Sequence, residues 1–291
     1  MKFVTIHFLA FLALSFLILE DSSSMVLGQE SANLTIEKVL DLNHDGVNVI
    51  AFSSASRELF VAHEFEGGKL FQWNIAQKRL VHKYTCPADY VRWDEATISP
   101  HGKLLVAALF PAVSSIKAQV LFIDTQSHQI RFSAKYDHGA VGKIRFEGSG
   151  KYVQILMNDL DSFVYDDHGK EHGKRNKKFE AESRDRLWDV PQSQGGPPSG
   201  LFFKDTRGGI HRLVDNPLNQ NFAFSKDAKY IGTSTFDQRL RIWRTSDLHE
   251  VFNKKVGGHP VRLVYDAKDD QFLVLDGIDG ETHLRTVRLP R

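Results

Sequence analysis

A single cysteine, Cys86, stands in 291 residues, so no disulfide forms within the chain and packing and hydrogen bonds alone must hold the fold. Cys86 reads as a small buried hydrophobe, with a reactive thiol or an intermolecular bridge as the alternative. Prolines number only nine and no low-complexity tract occurs, which excludes extended disorder beyond the start of the chain. An excess of one charge sign is missing too: 37 Lys and Arg face 36 Asp and Glu, a net +1. That balance gives no basis for nucleic acid as a partner. The 13 histidines include no His-Glu-x-x-His, and one cysteine cannot supply a thiolate pair, so no metal and no cofactor is expected. Gly-x-Ser-x-Gly is absent, which removes the commonest hydrolase nucleophile signature.

What the chain has is aromatic bulk, with 21 Phe and 11% aromatic residues, enough for a large all-β core. It also opens like an exported protein. Lys2 precedes an apolar run from Phe3 to Leu19, then a polar exit at Glu20–Ser24 and small residues at Val26–Gly28. Residues 1–28 read as a signal peptide and 29–33 as a short linker. The expected location is secreted or periplasmic, with no stable membrane insertion once the signal is cut; an uncleaved signal anchor is the alternative. Asn33-Leu-Thr35 is a glycosylation sequon if the source is eukaryotic.

The clearest segment runs from Leu218 to Phe252. Phe222 and Phe224 alternate with polar residues before a turn at Ser225–Ala228. Tyr230–Ser234 is a second run and Thr235–Gln238 a second turn. Leu240 and Ile242 alternate with Arg239, Arg241 and Trp243, and Thr245–Asp247 turns into Leu248–Phe252. Four short antiparallel strands in so few residues cannot bury both faces alone and must stack on neighbours like themselves. Residues 143–165 align with 221–243 without a gap: Phe146 falls on Phe224, Tyr152 on Tyr230, Asp159 on Asp237 and Tyr165 on Trp243. A shared position in the first strand recurs at Phe52, Ile98, Phe146, Phe224 and Tyr265. The interval from Phe146 to Phe224 is about double the others, so one weaker unit is expected near 181–217.

The segment resembles the WD-repeat family. Phe224–Ile231 is similar to that family's turn between its first two strands, and Thr235-Phe-Asp237 followed by Trp243 to its closing signature. The resemblance implies a closed β-propeller over 34–291, of six four-stranded blades with seven as the alternative. It implies that Leu34–Leu42 completes the last blade, whose own strands end near Leu289. It also implies that Asp237 and Trp243, with Asp159, Tyr165 and the blade-opening His259, are structural members of hydrogen-bonded sets inside the blades. The match departs from the family in lacking Gly-His before this unit and in having Arg244 after Trp243.

Function is less legible. Four loops between second and third strands carry apolar residues, Phe65, Phe110 (in Phe110-Pro-Ala-Val113), Leu160 and Phe236, and the repeat puts them on one face. An apolar cluster on one face suits a protein or peptide partner. The expectation is a monomeric, non-enzymatic scaffold. The alternative is a hydrolase or lactonase at the channel mouth, for which Asp94, Glu95 and Asp161 are the candidate carboxylates. An exposed Trp93 or Trp188 would favour carbohydrate binding instead. The basic stretch 170–178 reads as a solvated hairpin, or else as an anion patch.

Overall fold

The computed structural model describes residue 34 and residues 36–42, 47–63, 68–137, 140–146, 150–157, 161–176, 187–190, 200–204, 210–215, 221–234, 237–256, 262–278 and 281–289. The leader, Asn33 and Thr35 of the sequon, Phe65, Asp159, Leu160, Phe236 and His259 lie outside them. Residues 33–291 form one compact unit, and the described residues contain strands and turns but no helix.

The strands fall into antiparallel sheets in chain order. The first strand, β1 (Ile36–Asp41), joins the last sheet rather than the first. The first sheet holds β2 (Val47–Ser53), β3 (Glu58–His63), β4 (Lys69–Asn74) and β5 (Arg79–Thr85). The second holds β6 (Tyr90–Ile98), β7 (Leu104–Pro111), β8 (Ala118–Asp124) and β9 (Ile130–Tyr136). The third holds β10 (Val141–Phe146), β11 (Tyr152–Met157), β12 (Asp161–Asp166) and β13 (Glu171–Asn176). The fourth, the weak unit, shows three described strands, β14 (Leu187–Val190), β15 (Gly200–Lys204) and β16 (Ile210–Asp215). The fifth holds β17 (Asn221–Phe224), β18 (Tyr230–Ser234), β19 (Arg239–Arg244) and β20 (Glu250–Lys255). The last holds β21 (Arg262–Asp266), β22 (Gln271–Ile278) and β23 (Glu281–Arg288), with β1 paired to β23 as its fourth strand. Four-stranded meanders of this kind are consistent with propeller blades.

Burial explains the sequence pattern. In β7, Leu104, Val106 and Ala108 face the third sheet, while Leu105, Ala107 and Leu109 face the first. In β22, Phe272 and Val274 pack with the fifth sheet, and Leu273 and Leu275 with the first. A second strand covered on both faces reads as an unbroken apolar run, because neither face meets water. Other strands differ: β11, a second strand, and β19, a third strand, alternate buried and half-buried positions, whereas the first strands β6 and β10 keep no such period.

The turns repeat as faithfully as the strands. Left-handed backbone recurs between first and second strands at Arg57, Gly102, Gly150, Ala228 and Asp270, and between third and fourth strands at Lys78, His128, Gly169 and Leu248. A register shift accompanies each of the second group, at Gln72/Trp73, Phe122/Ile123, Val164/Tyr165 and Ile242/Trp243. A turn ending in a left-handed residue with an adjacent bulge is a standard hairpin solution. At Gly169 a Cβ would stand 2.5 Å from the Phe132 ring of the preceding sheet, so only glycine fits there. Asp237 accepts the Arg239 N–H at 3.0 Å, the expected turn role. Asp124, Asp166, Asp227 and Asp247 do the same at their own turns.

Neighbouring sheets also interlock at the turns. Arg57 pairs with Asp266 and, at 2.8 Å, with Asp269 of the last sheet. Burial would push the Asp266 carboxyl up, but Arg57, Gln271 and the Lys268 N–H together hold it below its ordinary value. At the other end of the last sheet, three strands align Asp276, His283 and Asp41. His283 Nδ1 lies 2.5 Å from Asp41 Oδ1, which ties β1 to its partner. Asp276 is fully buried, with Arg285 Nε 2.8 Å from its Oδ2. Burial nevertheless pushes its carboxyl up to about 6, against the pull of Arg285 and His283.

Two measurements follow. Gly232 lies where a Cβ would come within 2.8 Å of Leu263 and 2.9 Å of Phe272, so Gly232→Ala should destabilise the chain by about 1–3 kcal/mol in urea denaturation. An unchanged midpoint would mean that the fifth and last sheets do not approach this closely. Asp276 holds its proton more tightly folded than unfolded, where its ordinary value is 3.8. Its contribution to stability is therefore fully present below that value and is lost as pH rises through about 6. Asp276→Asn, which cannot titrate, should gain on the wild type in melting temperature between about pH 4 and about pH 7. A constant difference across that range would refute the assignment.

Candidate functional site

The first strands of five sheets converge on one cavity of about 450 Å³, lined from β2, β6, β10, β17 and β21. Pairing registers show which lining residues are equivalent. Glu95 stands opposite Ala108, Lys143 opposite Leu156 and Arg262 opposite Leu275. Each partner is the fifth residue of its second strand, so Glu95, Lys143 and Arg262 occupy one level of the cavity. Arg145 lies on the same strand as Lys143, two residues further on, and Ile50, Ala96, Ile144 and Leu263 line the wall nearby. In β6, register shifts at Tyr90/Arg92 and Trp93/Glu95 break simple alternation and let Trp93 point inward while Glu95 reaches the cavity.

Burial dominates the electrostatics. Glu95 keeps 29% of its side-chain surface, and Lys143 Nζ lies 3.9 Å from its Oε1. Its surroundings push the carboxyl up, with Lys143, Arg262 and the Ile144 N–H opposing. Asp94 is pushed up by burial as well, opposed by Arg92, whose Nη2 is 3.5 Å away, and by Arg262. Arg145 donates from Nε at 3.1 Å and from Nη2 at 2.9 Å to Gln154 Oε1, and Gln154 donates in turn to Ser162 Oγ at 2.6 Å. The Lys143 ammonium sits 5.8 Å from the Phe222 ring centroid. The arrangement combines cations, two carboxyl groups biased toward the protonated form, and an aromatic wall. It can hold an anion, and it can donate a proton.

Of the loop-face residues expected from sequence, Phe110 alone is described. It is half-buried, and the Arg92 guanidinium carbon lies 4.4 Å over its ring. The same end of the second sheet exposes Val113 at 55% and Val91 at 48%. Val113 lies in the apolar loop already singled out. Val91 carried no sequence signal, because only pairing of Tyr90 with Pro111 brings it to that loop.

The blade residues are clearer. Trp243 Nε1 donates to Thr233 Oγ1 at 3.2 Å, while Asp237 also pairs with Arg241. Tyr165 is buried against Phe122 and Phe132, with its hydroxyl 3.2 Å from Glu171. Trp93 is 1% exposed and donates to the Gly68 carbonyl at 2.9 Å, so it offers no platform for a sugar. Asp161 opens β12, the third strand of its sheet, and is not among the residues that line the cavity. The basic stretch is chiefly the outer strand β13 rather than a hairpin loop; an outermost strand tolerates polar residues because one edge and much of its surface face water. Cys86 packs against the first hydrophobic cluster, and burial pushes its thiol up to about 12, the state of an inert thiol.

Among the described residues no three His, Cys, Asp or Glu side chains are placed to hold a metal ion. His168 and His172 have a spacing that serves zinc on a helix, but here Gly169 turns the chain between them and His172 Nε2 bonds Asp166 at 2.9 Å. No protein-family model matches the chain, and no curated protein matches it in sequence.

Proposed function

We propose that residues 34–291 close into a six-bladed propeller of the WD-repeat kind, exported through its N-terminal leader, that binds a protein or peptide partner on one loop face. Three things support the ring. Hydrophobic clusters join the fifth sheet to the last, the last to the first, the first to the second and the second to the third. First strands of five sheets share one cavity. The strand β1 fills the outer position of the last sheet. The observation that carries the binding role is the exposed apolar pair Val91 and Val113 beside Phe110, at the end where second strands pass to third. Sheets locked by buried faces would hold such loops in fixed relative positions, so little conformational entropy is lost on docking.

A second reading, a hydrolase working at the cavity, draws on Asp94 and Glu95, two neighbouring carboxyl groups both pushed up by burial. Perturbed carboxyls in a cleft are the usual mark of a general acid.

Affinity isolation of the secreted protein, compared with a Val91→Asp/Val113→Asp double variant, tests the first reading. The variant should retain its melting temperature and lose its captured neighbours; equal recovery of the same neighbours from both would end the loop-face assignment. The second reading requires the wild type to hydrolyse aryl esters or lactones and Glu95→Gln to lose that activity at least about 100-fold. A wild type without such turnover rules it out.

A further inference from the structure

We propose that the inner cavity binds a small organic oxyanion, a carboxylate or phosphate monoester attached to an apolar body, at the level of Glu95, Lys143 and Arg262. Charge is the first argument. The described lining carries three cations, Lys143, Arg145 and Arg262, against one carboxylate, Glu95, and Asp94 beside the lining leaves the cations still in excess. The whole chain carries a formal net charge of only +1, so the excess in this one cavity is a local concentration rather than a reflection of composition. Protein walls of low polarizability focus that field inward.

Geometry is the second. Lys143 and Arg262 come from different sheets and occupy equivalent positions, so their charges point at a common level from separate walls. Both act on Glu95 electrostatically, which places that level within reach of each. Arg145, fixed by two hydrogen bonds to Gln154, adds a guanidinium on the same strand as Lys143. Arginine and lysine together are the ordinary protein means of holding an oxyanion. The third argument is shape. A volume of about 450 Å³ falls in the range of small-molecule pockets, and Phe52, Phe222, Ile50 and Ile98 in its lining supply apolar contact for the rest of the ligand. Glu95 then plays a selective part: as a carboxylate it repels an anion, and as a neutral acid it donates to one.

This site does not depend on the loop-face reading, and the two fail separately. The test is isothermal titration of the full chain with benzoate, phenyl phosphate and, as the uncharged control, benzyl alcohol. At least one anion should bind saturably and the alcohol should not; the tighter anion identifies the head group. Lys143→Gln and Arg262→Gln should each weaken that anion by about tenfold, whereas Glu95→Gln should tighten it. Lys143 is 56% exposed, so its variant keeps the test open even if Arg262→Gln folds poorly. Opposite signs at neighbouring positions are not what general disturbance of the cavity would give. Absence of saturable binding by either anion, equal binding of the alcohol, or variants that leave affinity unchanged or shift it all in one direction would overturn the proposal.

Discussion

Everything in this structure depends on strands that have no solvent side. The second strands β3, β7 and β22 carry apolar residues on both faces, and each face has another sheet against it. In β3, Leu59 and Val61 pack toward the last sheet while Phe60 and Ala62 pack toward the second. A four-stranded meander with such a strand is not a stable object alone, because half of its apolar area would face water. Stability is therefore shared between neighbours, as in any array of stacked repeats. Gly232 shows the limit of that sharing: the fifth and last sheets approach so closely that a single methyl has no room.

Stacking alone would leave the sheets free to slide, and the turns prevent it. Left-handed residues recur at equivalent places in sheet after sheet, and bulges recur beside the third-to-fourth turns. The same local twist is thus imposed each time. Side chains then lock one turn to the next: Arg57 to Asp266, Gly102 against Ser53 and Ser56, Gly150 against Pro100. These contacts are made by the residues that also shape the turns, so turn geometry and sheet spacing are set together.

Much of the strand pattern was legible in the sequence, and the reason is visible. The offset between 143–165 and 221–243 holds because Tyr152 and Tyr230 both open second strands, and Asp161 and Arg239 both open third strands. The pairing of Ile36–Asp41 with β23 was legible because a strand ahead of the first unit and a last unit short of its fourth strand complement one another. Less legible was the long inner strand β6. Its alternation is broken by two register shifts, so Tyr90–Ala96 shows no period of two although Trp93 is among the most buried side chains. The weak fourth unit was legible as an interval, and its three described strands lie within it. The charged level of the cavity was hidden for a different reason. Glu95, Lys143 and Arg262 are far apart in sequence and different in type, and only their partners in the second strands reveal that they are equivalent.

That last point bears on what kind of pressure shaped the interior. Residues one position away from this level, Ile50, Ala96, Ile144 and Leu263, are apolar in each of the four sheets, as expected where the requirement is packing between neighbours. At the charged level the same four sheets place Val49, Glu95, Lys143 and Arg262. Packing alone does not explain that change, since even half-buried charges lose hydration that an aliphatic side chain would not. Lys143 and Arg262 pull the Glu95 carboxyl down, and burial opposes them and pushes it up. Gathering these charges at the wall of a half-open cavity therefore costs some stability. A cost of that kind on a cavity wall fits the oxyanion site proposed above.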